Sequence, residues 1–430
     1  MMPRGPSRDQ VSMRNPHDQL TLPTYQEELK QIQSFLVRDG ALALLFIDAS
    51  RLNKIEQGFG REVYRKVLRA LTDLILGLKG KEIRQSDLVT LYGVEGEQFL
   101  VFLSRKREGR QFYSSDLEGL VDRVATLISN GMAKTISPYL KTQPRIAVGH
   151  AIIIHNPLIQ EERQIYKLIE DAKVMSQYQQ LRQSMRNKEK VQELIIKEEI
   201  RTHFQPIVRL ADFHLLGYEA LSRGPKDTEY ESPYHLFGTA AEADLVFELD
   251  RLCRRKALFN AGSLDRDCRL FINCLPATIH DPGFKGGALE ALLQKTHLEP
   301  ARVVMEISEK DAIENYALFR SAADYYTDLG FSIAVDDTGS GHSSLETVVE
   351  LKPQFLKLDI SLVRGINKNV IKQELLRAIL SLSRSMNSTV IAEGIETQEE
   401  LDMLLSLGVS FGQGFLIARP SAEFVVPQKP

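Results

Sequence analysis

The sequence has no tryptophan, few cysteines and no long apolar run. None of its apolar stretches approaches the ~20 residues that a membrane-spanning helix needs, so insertion into a membrane is not expected. The three cysteines, Cys253, Cys268 and Cys274, are odd in number and lack metal-ligand spacing, which argues for a reducing cytosol rather than a disulfide framework. No charged-then-apolar segment opens the chain, so a secretory signal is not expected and a cytoplasmic location is. The net charge of −3 gives no bias toward a nucleic-acid polymer or a membrane surface. What remains is ordinary for a globular protein, with 43% hydrophobic and 26% charged residues, and 430 residues suffice for two or three domains.

One stretch organises the rest. In Phe331-Ser-Ile-Ala-Val-Asp-Asp-Thr-Gly-Ser340, four of the first five residues are apolar, which predicts a short buried strand that ends in a turn. Asp336 and Asp337 fall where that strand stops. Adjacent carboxylates repel unless something positive lies between them, and a pair of divalent cations would serve. The plainer alternative is a solvated Asp337 beside an Asp336 that opens an Asx-turn.

Residues 1–24 are poor in apolar side chains and read as a disordered tail, followed by a helix from near Tyr25 through Leu36. An α/β domain spans 25–178. Its strands are expected at Ala41–Asp48, Leu88–Tyr92, Gln98–Leu103 and Arg145–Ile154, with helices over Tyr64–Leu78 and Leu117–Ile128. Leu88–Tyr92 and Gln98–Leu103 form a hairpin around Gly93-Val-Glu-Gly-Glu97.

This pattern resembles a GGDEF, or diguanylate cyclase, domain with Glu95-Gly96-Glu97-Gln98-Phe99 at the signature position and two extra residues. By that resemblance Asp48 matches the first metal-binding acid, Gln98 replaces a second, and Glu56 stands where an Asn reads guanine. A neutral amide is a weak divalent-cation ligand, so no cyclase activity is expected. Arg84-Gln-Ser-Asp87 has the spacing of the family's inhibitory product site, which would take GTP or cyclic di-GMP; alternatively Arg84 is a surface arginine and Asp87 starts a helix. Residues 157–200 predict a helix whose apolar positions Leu168, Ala172, Met175, Tyr178, Leu181 and Met185 form one stripe, with 179–200 connecting two domains as a lever, a homodimer seam or a packed linker.

From Thr202 the pattern changes to eight strand-like segments: Phe204–Val208, Leu216–Ser222, Leu270–Leu275, Val303–Ser308, Phe331–Asp336, Phe355–Ile360, Val390–Gly394 and Gly412–Ala418. Helix-like runs separate most of them, at Leu236–Phe259, Ala312–Leu329, Val370–Ser385 and Gln398–Leu407. That alternation predicts a closed (β/α)8-type barrel over 201–430, with an open doubly wound sheet as the alternative. Val208 to Leu216 is too short for a parallel crossover, so the first strand should be antiparallel to the second.

Barrel chemistry sits at the carboxyl ends of the strands. Found there are Glu219, Asn273, Glu306 with Glu309, Asp336 with Asp337, Lys357 with Asp359, Glu393 with Glu396, and Gln413. So many converging acids need cations, and carboxylates with one amide oxygen suit Mg²⁺ or Mn²⁺. The alternative is a solvated rim where these acids pair with lysines and arginines.

Residues from about 190 to 424 resemble EAL-domain cyclic-di-GMP phosphodiesterases through Gln205-Pro-Ile-Val208, Glu219-Ala-Leu-Ser-Arg223, Asn273 with Pro276, Glu306-Ile-Ser-Glu309, Asp336-Asp337, Lys357-Leu-Asp359, Glu393-Gly-Ile-Glu396 and Gln413-Gly-Phe415. The resemblance implies two Mg²⁺ or Mn²⁺ ions and hydrolysis of cyclic di-GMP to pGpG. It assigns Glu219, Asn273, Glu306 and Asp336 to one ion, and Asp336, Asp337 and Glu393 to the other. Glu393 would act as general base, or Lys357 would poise a water activated at the metals. Arg223 would grip a phosphate, Gln205 line the groove, Gln413 orient substrate or water, and Glu309 and Glu396 brace the loop after Asp337. Thr338 and His342 replace the family's usual Phe and Tyr in that loop, which would loosen its coupling to a dimer contact. A silent cyclic-di-GMP receptor is the competing reading.

Overall fold

The computed structural model describes residues 22–93, 96–103, 114–139, 146–308, 316–339 and 351–427. Most of the expected tail, Glu95, Glu309, and residues 340–350 with His342 lie outside the described residues. The chain divides into two units between Arg186 and Asn187.

The first unit is built on a four-stranded sheet of β1 (Ala41–Asp48), β2 (Leu88–Leu91), β3 (Gln98–Leu103) and β4 (Ala147–Ile154), in the order β2-β3-β1-β4. Every neighbouring pair is antiparallel, and Asp48 stands opposite Gln98. β1 is apolar up to Asp48 because both its faces are covered. Ala43, Leu45 and Ile47 pack with helices Asn53–Leu76 and Ser114–Ile136, while Leu42, Leu44 and Phe46 pack with Leu29–Asp39 and the start of Glu161–Ile196. The helix expected from Tyr64 begins eleven residues earlier, at Asn53, and is interrupted at Gly60, whose φ of +81° suits glycine.

The long helix runs from Glu161 to Ile196. Its expected stripe holds only in part. Leu168 and Ala172 are buried beside Ile165 and Ile169, but Tyr178, Leu181 and Met185 are exposed. Steps of four and three average less than the 3.6-residue turn, so a stripe drawn through them drifts off the packed face.

In the second unit β5 (Arg201–Arg209), β6 (Leu215–Arg223), β7 (Arg269–Asn273), β8 (Val303–Ser308), β9 (Ser332–Thr338), β10 (Phe355–Leu358), β11 (Thr389–Ala392) and β12 (Phe411–Gly412) close into a barrel. The open sheet is thereby excluded. β5 is antiparallel to both its neighbours, β6 and β12, and the other pairs are parallel. The short β5–β6 connection closes with Arg209 N donating to His214 O at 2.8 Å and Phe213 at φ +60°.

Several boundaries differ from expectation, three of them for a visible reason. The run Leu236–Phe259 breaks into Pro233–Glu242 and Val246–Asn260, because Asp244 takes a left-handed conformation, φ +58°, that a short polar side chain tolerates. The strand expected to reach Ile360 stops at Leu358, where Asp359 turns the chain into the helix Ile360–Val363. β12 ends at Gly412 rather than Ala418, because the next residues wrap Ile395: Ile395 N donates to Gln413 O at 3.1 Å and Leu416 N to Ile395 O at 3.0 Å. A Cβ on Gly414 would lie 2.2 Å from Ile395 N and O. Gly414→Ala should therefore cost about 1–3 kcal/mol, read as a lowered urea midpoint.

The barrel interior follows a period of two. Ile207, Phe271, Val304, Ala334, Phe355 and Ile391 form one buried apolar cluster. Two residues from each, on the same face of the strand, stand Gln205, Asn273, Glu306, Asp336, Lys357 and Glu393. An apolar floor thus lies beneath a polar rim.

Candidate functional site

The strands or the residues just after them place polar side chains at one rim, and most of these come together around Lys357. Its ammonium group is fully buried. Nζ stands 2.6 Å from Glu393 Oε1, 2.8 Å from Glu306 Oε1, 3.1 Å from Glu219 Oε2 and 3.5 Å from Asp336 Oδ1. Asn273 Nδ2 donates to Glu219 Oε1 at 3.2 Å and to Glu306 Oε2 at 3.3 Å. Gln413 Nε2 donates to Glu219 Oε2 at 2.5 Å and to Glu393 Oε1 at 3.1 Å. Asp337 takes a left-handed φ of +60°, and its amide donates to Asp336 Oδ1 at 3.0 Å. Carboxylate oxygens of Asp336, Asp337 and Glu393 lie within 4.8 Å of one another.

The charge balance is uneven. Four carboxylates face one ammonium group, an excess of three negative charges, 4 − 1, before Asp337 is counted. Burial, reinforced by the neighbouring carboxylates, pushes the carboxyl groups of Glu306, Asp336 and Glu393 above their ordinary range. Burial also acts on Glu219, but there Lys357, Gln413 and Asn273 outweigh it and hold the group below its usual value. For Lys357 the four carboxylates outweigh burial and raise it well above the ordinary lysine range.

This donor set fits hard divalent cations. Its acids offer only oxygen ligands, it carries surplus negative charge in a buried place, and Gln413 Oε1 is buried without a hydrogen-bond partner. Glu219, Asn273, Glu306 and Asp336 could hold one ion, and Asp336, Asp337 and Glu393 a second.

Other expected residues lie differently. Gln205 is buried and its Nε2 donates to Ala418 O at 3.1 Å. Arg223 is half-buried, with Nη1 donating to Ser222 O at 2.9 Å. Glu396 is paired with Arg364 at 2.9 Å, and most of the loop it is expected to brace lies outside the described residues. Asp359 caps a helix, its Oδ1 accepting from Ser361 N at 2.8 Å. In the first unit Asp48 accepts from Ser50 N at 3.0 Å and lies 3.5 Å from Gln180 Nε2, and Glu97 accepts from the Tyr64 hydroxyl. Asp87 is buried and accepts from Arg84 N at 2.8 Å, so it closes a turn.

Residues 188–420 match the EAL domain family. The chain belongs to that family. Its EAL domain covers the whole barrel and every rim residue described above. The chain is 30% identical over 241 residues to a probable cyclic di-GMP phosphodiesterase, PdeN, of Escherichia coli, covering 55% of this chain and 46% of that protein. It is 23% identical to the bifunctional diguanylate cyclase/cyclic di-GMP phosphodiesterase MucR of Pseudomonas aeruginosa, covering 94% of this chain and 60% of that one. Among solved structures it is similar to the EAL domain of Xanthomonas citri FimX in complex with cyclic di-GMP, with a TM-score of 0.53 at 22% identity, covering 58% of this chain and 99% of that one. That likeness shows the fold. The chain spans 46% to 60% of the length of these two curated relatives. Among the described residues no helix is long and apolar enough to cross a membrane.

Sequence reasoning overlooked the buried Asp250, Arg254 and Asp281 behind β7. Two acids and an arginine in helix- and turn-like segments look like a solvated surface, and no spacing signal separates the two cases.

Proposed function

We propose that the EAL domain hydrolyses cyclic di-GMP to linear pGpG with two Mg²⁺ or Mn²⁺ ions. The carrying observation is the buried convergence of Glu219, Glu306, Asp336 and Glu393, with surplus negative charge, at one end of a closed barrel. When bound, the ions would neutralise the scissile phosphate and activate a water for in-line attack. Asp336 would serve both ions, and Asp337 only the second, with Glu393. Lys357 holds the carboxylates in a fixed array and offers positive charge to a water or phosphate oxygen. Glu393 is the candidate to receive a proton. Arg223 grips a phosphate in its guanidinium fork, Gln205 lines the groove, and Gln413 orients substrate or water through its unpartnered oxygen.

The organisation proposed is a tail at 1–24, a GGDEF-like unit at 25–178, a connecting helix at 179–200 and the EAL domain at 201–430. The first unit regulates and makes no product, since the neutral Gln98 stands opposite Asp48 where a second acid would be needed to hold a cation. The turn Arg84–Asp87 is its proposed contact for a guanine nucleotide, GTP or cyclic di-GMP. A homodimer in the cytoplasm is the proposed working state.

Incubation with cyclic di-GMP and Mn²⁺, with and without GTP, tests the reading by chromatography. Appearance of pGpG supports it; tight binding without turnover makes the protein a receptor instead. Asp48→Ala should leave turnover without added nucleotide within about twofold, because Asp48 belongs to the first unit and supplies no group to the barrel rim. A large loss would mean a working metal site in the first unit.

A further inference from the structure

Behind the rim, three charged side chains are buried where no reacting group is described. Arg254, fully buried, lies on the helix Val246–Asn260, with Asp250 one turn before it. Its Nε donates to Asp250 Oδ2 at 2.7 Å, and its Nη2 donates to Asp281 Oδ2 at 3.2 Å. The guanidinium lies over the Phe284 ring, 4.3 Å from its centroid. Arg251 Nε stands 3.3 Å from Asp281 Oδ1. Replacing a buried ion pair by apolar side chains of similar volume is often neutral or stabilising, so a buried set such as this is weak evidence of a stabilising role.

What the network holds accounts for the set. Asn273 ends β7, and the chain then takes eight steps to reach Asp281. A hydrogen bond from the Leu275 backbone offsets part of the upward push that burial exerts on the Asp250 carboxyl. The Cys274 amide donates to Glu306 O at 2.8 Å. Cys274 Sγ lies 3.0 Å from Thr278 Oγ1, which lies 2.7 Å from the Tyr326 hydroxyl, and all three are buried. Asp281 Oδ1 accepts from Gly283 N at 2.9 Å and caps the turn Pro282–Phe284. The segment after Asn273 is therefore fastened at its start, middle and end, to two helices and to β8. The Asn273 side chain itself bridges Glu219 and Glu306.

We propose that Asp250, Arg254 and Asp281 are positioning residues that set Asn273 against Glu219 and Glu306, so that the three can share a divalent cation. This rests on the metal-dependent reading of the rim given above. Asp250 supplies the acceptor for the Leu275 amide. Arg254 fixes Asp250 against Asp281, and so fixes both ends of the segment that leaves β7.

The test compares Mn²⁺ affinity, by calorimetry on the full chain, with thermal unfolding in chelator. Asp250→Asn keeps an acceptor for the Leu275 amide but removes the charge that faces Arg254. It should lose stability and keep its Mn²⁺ affinity within about threefold. The double variant Asp250→Leu with Arg254→Met removes the buried ion pair together with that acceptor. It should recover much of the thermal midpoint and still bind Mn²⁺ about 10- to 100-fold more weakly, the usual loss when the groups that orient a ligand are removed. A double variant that binds Mn²⁺ like the wild type overturns the proposal, as do affinities that follow the thermal midpoints across the set. If Asp250→Asn does not fold, the double variant decides alone. A wild-type chain that takes up no Mn²⁺ overturns the metal reading and this inference with it. A wild-type chain that binds Mn²⁺ but leaves cyclic di-GMP intact overturns the proposed reaction only, and the affinity comparison still decides.

Discussion

Glu219→Ala is expected to abolish turnover of cyclic di-GMP, by about 10³-fold or more. Glu219 meets Lys357, Asn273 and Gln413 at once, so its removal takes a ligand from one proposed ion and an anchor from three other side chains. Metal stabilisation of a phosphoryl transition state is worth several kcal/mol, and each 1.36 kcal/mol is tenfold in rate. The measurement is pGpG formation at saturating Mn²⁺, alongside Mn²⁺ affinity by calorimetry. Turnover near the wild-type rate would overturn the ligand assignment. The fold should survive, because Glu219 rises above the apolar floor instead of packing within it.

Lys357→Met has the other large expected effect, and it falls on stability as well as rate. The ammonium group is the partner of four buried carboxylates. Without it their repulsion is uncompensated, and removing one partner of a buried ionic set costs about 3–5 kcal/mol. In chelator the variant should therefore melt well below the wild type. Excess Mn²⁺ should recover more stability in the variant than in the wild type, since ligand binding to the folded state alone adds RT ln(1 + [L]/Kd). Turnover should fall in parallel with the lost positive charge. Thermal midpoints measured with EDTA and with Mn²⁺ check the sign. An unchanged midpoint in EDTA would mean that the carboxylates carry protons instead of needing the lysine.

The barrel and its rim were legible in the sequence for the same reason. Strand ends were marked by a polar residue two places after a buried apolar one, as in Phe271 with Asn273, Val304 with Glu306 and Phe355 with Lys357. That period of two is a local property, so residues far apart in the chain could be assigned to one rim without knowing their contacts. The antiparallel β5 was legible too, because the length of the β5–β6 connection leaves no alternative. Where the sequence misled, a later contact decided the local conformation. Nothing local ends β12 at Gly412; the wrap around Ile395 does. Asp359 looked like one more rim acid and proved to be a helix cap. Arg254 lay beyond reach because its burial depends on Asp281, 27 residues away. The stripe on Glu161–Ile196 failed past Ala172 because its steps average less than one helical turn and carry it off the packed face.

The apolar cluster beneath the rim has a consequence for traffic. With Phe271, Val304, Ala334 and Ile391 almost wholly shut off from solvent, nothing drains through the centre of the barrel. Whatever reaches the carboxylates enters and departs by the same doorway. A cleaved dinucleotide must vacate before the next cyclic molecule can land, so accumulated pGpG should slow the reaction by simple competition for the entrance.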